Sequence, residues 1–174
     1  ADQHLASGTP IQHLTREASF YGRIFECGPG ALIPRPETEV LVSHLVSQLL
    51  ADSESGQSLR GAELGLGSGV IALTLLLECR AQKRGLKMVG SELSARARDL
   101  CLRNRAHLGL TSLELEVIPT HDPAEVASPF LPFVARDGLF DFWVSNPPYL
   151  QPSAAEVEPG VLASDPHEAL FAPP

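Results

Sequence analysis

The chain has 174 residues, of which 44% are hydrophobic, and it carries a formal net charge of −8. This length suits one domain with a sizeable core, and no apolar run reaches the roughly 18 residues of a membrane span, so no membrane contact is expected. The acidic balance argues against direct binding of nucleic acid, because phosphate contacts need a basic face.

The N-terminal segment, residues 1–36, is predicted to be polar at first and then to form a β-hairpin over 18–34. Apolar residues on either side of Gly28-Pro29-Gly30 indicate two strands that turn at those three residues. Two prolines then predict an extended connection. A helix is expected from about Glu37 to about Ala51, because apolar residues recur there at helical spacing.

Strands and helices alternate along the rest of the chain. The predicted strands are 61–64, 88–90 and 113–118, and the predicted helices are 70–78 and 94–108, with a basic loop over 79–87. A short apolar segment near 130–134 precedes a last strand, 139–144, whose continuous apolar run predicts burial on both faces. The alternation predicts an α/β fold with a mostly parallel sheet, preceded by the hairpin.

The last predicted strand stops at Asn146-Pro147-Pro148-Tyr149, because prolines have no N–H for a ladder. Ligands of open α/β sheets bind at such carboxyl ends. The Asn146 side-chain oxygen and the Pro147 carbonyl can accept both N–H groups of a planar amide or adenine-type NH2, and the Tyr149 ring can stack on it. Asn146, Pro147 and Tyr149 are therefore the candidate catalytic residues, with rate expected from orientation and electrostatics. A proline turn that merely ends a strand is the structural alternative.

A glycine-rich loop lies between the first core strand and the helix that follows it. Gly65, Gly67 and Gly69 are spaced two apart, and Glu63 stands two positions before the first of them. Such glycines let the backbone approach a ligand closely and aim helix N–H groups at it. The Glu63 carboxylate suits a cationic ligand such as S-adenosylmethionine. A glycine turn of purely structural use is the alternative.

Acidic residues also follow the next two predicted strands. Glu92 is expected to accept both hydroxyls of a ribose, with a solvated surface glutamate as the alternative. Asp122 is a candidate contact for an adenine amino group, and a helix cap or turn acid explains it equally well. Upstream, the run from Arg35 to Glu39 is dense in polar side chains. Arg35 and Glu37 are candidate substrate contacts there, although helix capping accounts well for Glu37.

Taken together, these motifs resemble the HemK/PrmC family, the peptide-chain-release-factor N5-glutamine methyltransferases. The resemblance rests on I-P-R-P-E-T-E at 33–39, E-L-G-L-G-S-G at 63–69 and N-P-P-Y at 146–149. It extends from about Gly8 to Phe171. The combination of the first and last of these motifs is highly specific for the family.

The resemblance implies a Rossmann-like class I S-adenosylmethionine-dependent methyltransferase core, which 37–174 would form. It implies methyl transfer to the glutamine side-chain nitrogen in the Gly-Gly-Gln loop of a translation release factor. The resemblance implies that S-adenosyl-L-methionine is bound by Gly65, Leu66, Gly67, Ser68, Gly69, Glu92 and Asn146. Glu63 and Asp122, the candidates from the residue patterns above, complete the expected site. The glutamine would be held by Asn146, Pro147, Pro148 and Tyr149. Because family members have a helical domain before these residues and further strands after them, the chain is expected to be a fragment.

The cysteines bear on compartment and on metal binding. Cys27, Cys79 and Cys101 are an odd, scattered set, which indicates a reducing intracellular compartment and no metal site. The resemblance implies the mitochondrial matrix for a eukaryotic protein and the cytoplasm otherwise.

Two other functions stay open. One is a nucleic-acid adenine-N6 methyltransferase, against which the acidic charge and the I-P-R-P-E-T-E string both weigh. The other is a truncated, catalytically inactive form.

Overall fold

The structure is a computed structural model that describes residues 10–51, 58–120, 128–148, 150 and 166–171. Within these ranges the helices are α1 (Ile11–Thr15), α2 (Pro36–Ala51), α3 (Val70–Ala81), α4 (Ala95–His107), α5 (Leu131–Asp137) and α6 (His167–Leu170). The strands are β1 (Glu17–Phe20), β2 (Arg23–Glu26), β3 (Leu59–Leu64), β4 (Leu86–Glu92), β5 (Leu115–Pro119) and β6 (Phe142–Ser145). No helix among the described residues is both long and apolar enough to cross a membrane.

The core of the fold is a four-stranded sheet in the order β5-β4-β3-β6, with every neighbouring pair parallel. A separate antiparallel hairpin, β1-β2, precedes it. The α/β class with a parallel sheet and a leading hairpin is therefore confirmed. Since β4 and β5 extend the sheet on one side of β3 and β6 lies on the other, the strand order reverses at β3. Open α/β sheets bind ligands at the carboxyl ends of the strands at such a reversal.

Helix α3 packs against the sheet as its all-round apolar sequence predicts. Seven of its residues are buried: Ile71, Ala72, Leu73, Thr74, Leu75, Leu76 and Cys79. All of these except Thr74 join a core cluster with the hairpin aromatics Phe20 and Phe25, which are also buried. The hairpin is therefore part of the main core.

The predicted turn of the hairpin is wrong. The chain reverses at Tyr21-Gly22, and Gly28-Pro29-Gly30 lies beyond the second strand. Tyr21 and Gly22 both have positive φ, 50° and 71°, as two-residue hairpin turns that match the strand twist require. The Tyr21 N–H donates to Glu39 Oε1 at 2.8 Å, so a contact from α2 fixes this turn.

Several predicted boundaries also shift. The proposed basic loop over 79–87 is mostly regular, because α3 continues to Ala81 and β4 begins at Leu86, whose side chain is buried. The apolar segment near 130–134 belongs to a helix, α5, which has a proline in its first turn. The third core strand begins at Leu115, after a Thr111–Glu114 turn.

Strand β6 is less buried than its apolar run predicts. It spans Phe142–Ser145, and β3 is its only partner among the described strands, so it lies at an edge of that sheet. Trp143 is 46% exposed, and its ring packs edge-on against Phe130 and Phe140 at centroid distances of 4.8 and 5.2 Å. Val144, on the other face, is buried. The prediction of burial on both faces is therefore wrong for this strand.

Candidate active site

A cavity of about 800 Å³ lies at the carboxyl end of the parallel sheet. Residues that end or follow all four strands line it: Leu64 and Gly65 at the end of β3, Ser91 and Glu92 in β4, Thr120 after β5, and Ser145 and Asn146 at the end of β6. This volume is within the range that small-molecule ligands occupy. The cavity is thus placed where the strand order predicts a ligand.

The glycine loop between β3 and α3 forms one wall of this cavity. Gly65 and Gly67 have positive φ values of 73° and 55°, and a Cβ built on either would meet nothing within 4 Å. The Gly65 and Leu66 N–H groups donate to the Ser91 carbonyl at 2.9 and 3.0 Å, which ties the loop to β4. The hydrogen bonds to β4 therefore hold the loop in place, while the main chain at Gly65 and Gly67 is open to the cavity with no side chain in the way.

Glu63 is almost completely buried, at 1% exposure, and lines the cavity. Its Oε2 accepts a hydrogen bond from the Ala72 N–H at 2.9 Å, in the first turn of α3. Helix α3 begins after Gly69, which has no side chain to cap it, so Glu63 supplies the missing acceptor from β3. Burial raises the pKa of Glu63 well above its usual range, the Ala72 N–H partly opposes this, and nearby Glu92 adds to it.

The raised pKa predicts a pH-dependent loss of stability that Glu63→Gln should remove. From about pH 4.5 upward, the unfolded chain releases the Glu63 proton while the folded protein retains it or bears a buried charge, so stability falls as pH rises. The glutamine oxygen can still accept from Ala72 but cannot ionise. In urea unfolding between about pH 4 and pH 8, the free energy of unfolding of Glu63→Gln should rise relative to that of the wild type as pH increases. Parallel pH profiles would refute a raised pKa at this residue.

Glu92 holds the glycine loop from the neighbouring strand. Its Oε2 accepts from the Gly67 N–H at 2.8 Å, and its Oε1 accepts from the Ser94 N–H at 2.9 Å, at the N-cap of α4. Arg98 donates to the Glu92 carbonyl at 2.8 Å. Glu92 lines the cavity, as a ribose contact must, and a carboxylate has lone pairs beyond these two bonds. The bond to Gly67 is a further role that its position at a strand end does not reveal.

Asn146 is brought beside the glycine loop by the pairing of β6 with β3. Leu64 and Ser145 are partners in that pairing, and the Ser145 hydroxyl donates to the Leu64 carbonyl at 2.9 Å. Asn146, Pro147 and Pro148 follow directly and line the same cavity as Gly65 and Gly67. The glycine loop and the Asn-Pro-Pro turn are therefore on one side of the molecule, at adjacent strand ends.

The Arg35–Glu39 segment reaches the cavity through two of its five residues. Arg35 and Thr38 line it, and the Asn146 Nδ2 group donates to Thr38 Oγ1 at 3.5 Å. Glu37 is exposed on the first turn of α2 and lies outside the cavity wall, so its substrate contact stays a prediction. The Thr38 contact was missed by sequence reasoning, since it joins residues 108 positions apart and no spacing rule links them.

Other predicted site residues are placed only in part. Leu66 and Ser68 are buried and line the cavity, whereas Tyr149 and Asp122 lie outside the described residues. Near the C-terminus, Phe171 lines the cavity and pairs with Leu150 in a parallel bridge. In the part of the chain that the structure describes, no group of three or more His, Cys, Asp or Glu residues could hold a metal ion.

Comparison with known proteins gives matches over nearly the whole chain. Proteins named release factor glutamine methyltransferase are 32% identical in Staphylococcus aureus, covering 98% of this chain, and 38% identical in Mycobacterium tuberculosis, covering 97%. The chain spans about half the length of these relatives, 54% and 50% respectively. The resemblance that the motifs suggest is therefore confirmed. No protein-family model matches the chain.

Solved structures share the fold. A SAM-dependent methyltransferase from Agrobacterium tumefaciens superposes with a TM-score of 0.56 at 17% identity, over 76% of this chain and 39% of that one. The N-terminal domain of human METTL16, in complex with SAH, gives 0.54 at 16% identity, over 90% and 68%. The fold is therefore that of the SAM-dependent methyltransferases. At such identities these two likenesses carry the fold alone.

Proposed function

We infer that the chain belongs to the release factor glutamine methyltransferases, and we propose that it is the portion of such an enzyme that carries the active site. In this proposal 37–174 forms the methyltransferase core and 1–36 leads into it. The reaction transfers a methyl group from S-adenosyl-L-methionine to the side-chain nitrogen of the glutamine in a release factor's Gly-Gly-Gln loop. One observation supports it above the others: Asn146 and the glycine loop lie at paired strand ends and line one cavity.

The residues at the glycine loop suit S-adenosylmethionine. Gly65 and Gly67 leave open space where side chains would otherwise stand, so a ligand can lie directly against the main chain. Glu63 adds a buried acidic group, and the positive charges of the methionyl ammonium and sulfonium would favour its ionised form and so oppose the rise in pKa that burial causes. Glu92, at the next strand end, would hold the ribose hydroxyls. When bound, S-adenosylmethionine supplies an electrophilic methyl group.

The Asn-Pro-Pro turn would prepare the nitrogen that receives the methyl. A carboxamide nitrogen is a poor nucleophile because its lone pair is delocalised into the carbonyl. In our proposal the Asn146 side-chain oxygen and the Pro147 carbonyl accept its two N–H groups and fix its orientation, while Tyr149 stacks on the amide plane. The same two oxygens would stabilise the positive charge that develops on the N–H groups as the N–C bond forms and the methyl–sulfur bond breaks, after which one N–H proton passes to solvent water. Orientation and electrostatics thus provide the rate without a strong base.

The proposed partner is a release factor, and the proposed compartment follows from it. Release factors work where ribosomes do, so we place the protein in the cytoplasm or, in a eukaryote, in the mitochondrial matrix. Cys27, Cys79 and Cys101 are all buried thiols, as suits a reducing compartment. The names of the curated relatives favour a glutamine substrate over nucleic-acid adenine.

A methyl-transfer assay tests the proposal. The purified chain is incubated with S-adenosylmethionine carrying a tritium-labelled methyl and with three acceptors: an intact release factor, the same factor with alanine for the Gly-Gly-Gln glutamine, and duplex DNA. We expect label on the intact factor alone. Label on DNA without label on the factor would replace glutamine with adenine as the substrate. Absence of all label, together with no calorimetric heat on adding S-adenosylmethionine, would identify a non-catalytic form.

A further inference from the structure

We propose that Thr38 is a positioning residue that sets which way the Asn146 carboxamide faces. The proposal deepens the proposed function, on which it rests, by adding a residue that acts through Asn146. The observation behind it is the hydrogen bond from Asn146 Nδ2 to Thr38 Oγ1, at 3.5 Å.

The two side chains differ in how firmly they are held. Thr38 is 9% exposed and lies in the first turn of α2, where its N–H donates to the Arg35 carbonyl at 3.0 Å. A β-branched side chain in a helix is restricted at χ1, and threonine has only two favoured rotamers there, so its hydroxyl has few positions to occupy. Asn146, by contrast, is exposed at the end of β6. The helix therefore provides a buried acceptor with few positions, against which an exposed amide can be oriented.

The orientation matters because the two ends of a carboxamide have opposite hydrogen-bonding character. The oxygen only accepts and the NH2 only donates. The acceptor nitrogen of a substrate glutamine presents N–H groups, which Asn146 can bind only through its oxygen. In the flipped orientation two donors would face each other, leaving both without a partner. In the observed contact Thr38 accepts from Nδ2, which turns the NH2 end of Asn146 toward α2 and leaves Oδ1 for the substrate.

The alternative is that Thr38 only fills space at the start of α2. Two substitutions distinguish a space-filling role from a positioning role. Thr38→Val keeps the shape and burial but removes the acceptor, whereas Thr38→Ser keeps the acceptor and loses only a methyl. If the residue merely fills space, valine is the better replacement. If it orients Asn146, serine is the better one.

Kinetics on the release factor give the first test. We expect Thr38→Val to lower kcat roughly tenfold, with the Kd for S-adenosylmethionine within about twofold, and Thr38→Ser to retain kcat within about threefold. Melting temperatures of both variants, measured alongside, show whether either loses its fold. A Thr38→Val variant with wild-type kcat, or a Thr38→Ser variant that falls as far as valine, would overturn the proposal.

The orientation can also be observed without turnover. The two side-chain N–H resonances of Asn146 are identified by their loss in an Asn146→Asp variant of the isotopically labelled chain. Thr38→Val should shift these two resonances and speed their hydrogen exchange, while Thr38→Ser should leave them near their wild-type positions. Unchanged resonances in Thr38→Val would refute the inference even if the wild type methylates the factor. Shifted resonances in Thr38→Val would support the Thr38–Asn146 contact even if the wild type methylates no release factor. In that case the missing methylation would count against the proposed substrate alone.

Discussion

Replacing Asn146 with alanine is expected to lower methyl transfer to the release-factor glutamine by about a hundred- to a thousandfold. The substitution removes the Asn146 side-chain oxygen, which we propose accepts a substrate N–H and which belongs to a residue lining the cavity just after β6. Affinity for S-adenosylmethionine should change by less than roughly tenfold, about 1.4 kcal/mol, since the glycine loop and Glu92 are left intact. Single-turnover rates and calorimetric Kd values measure the two quantities separately.

A matched control is available on α2. Gln48 also carries an exposed carboxamide but lies outside the cavity wall, so Gln48→Ala deletes the same chemical group where it should not matter. We expect its turnover to stay within about twofold of the wild type, since surface substitutions away from special features have small effects. Unchanged turnover in Asn146→Ala would remove Asn146 from the mechanism. A parallel loss of S-adenosylmethionine binding would instead make it mainly a cofactor contact.

The parts of the fold that could be predicted are those in which local signals agree with tertiary packing. Helix α2 spans Pro36–Ala51, close to its prediction, because an acidic first turn and a helical apolar stripe indicate the same element. Helix α4 begins just after Ser94, close to the predicted start at 94, and the Ser94 side chain caps it by accepting from the Ala97 N–H at 3.3 Å. In both helices nothing distant in the sequence is needed to set the boundary.

The hairpin shows what such signals cannot decide. Two turn candidates lie close together, and Gly28-Pro29-Gly30 has the stronger composition. The chain turns instead at Tyr21-Gly22, where a tyrosine adopts a φ of 50° that its type disfavours. The Glu39 carboxylate accepts the Tyr21 N–H, and Phe20 and Phe25 enter the core on either side. These tertiary contacts outweigh the local preference and cannot be found from a window of sequence.

In the candidate site, too, some features could be predicted from the sequence and others could not. Residues placed by strand ends were predictable, because parallel strands carry their last residues to one edge whatever the details of packing. The contacts between them were not. Glu92 accepting from Gly67 and Asn146 donating to Thr38 depend on side-chain reach across separate elements. Similarly, the apolar composition of β6 gave no sign that Trp143 lies on an edge strand.

The second large effect is expected from Gly69→Ala, which should destabilise the fold by about 2–5 kcal/mol. Gly69 has a φ of +83°, a conformation that costs a residue with a side chain roughly 1–2 kcal/mol. An added Cβ would also lie 2.6 Å from Cys101 Sγ and 2.9 Å from Leu73 Cδ1. Both neighbours are completely buried, and overpacking of this kind costs about 1–3 kcal/mol. Urea unfolding at fixed pH measures the sum.

Two further variants separate the strain from the clash. Gly109 has a φ of +67° but open space around its Cβ position, so Gly109→Ala should cost only the strain, about 1–2 kcal/mol. Adding Gly69→Ala to a Cys101→Ala background should cost at least about 1 kcal/mol less than in the wild type, since the sulfur it meets is gone. Equal costs at Gly69 and Gly109, with no coupling to Cys101, would mean that backbone strain alone requires glycine at the start of α3. A larger cost at Gly69 that Cys101→Ala relieves would instead show that the loop and α4 are packed so closely there that no Cβ fits between them.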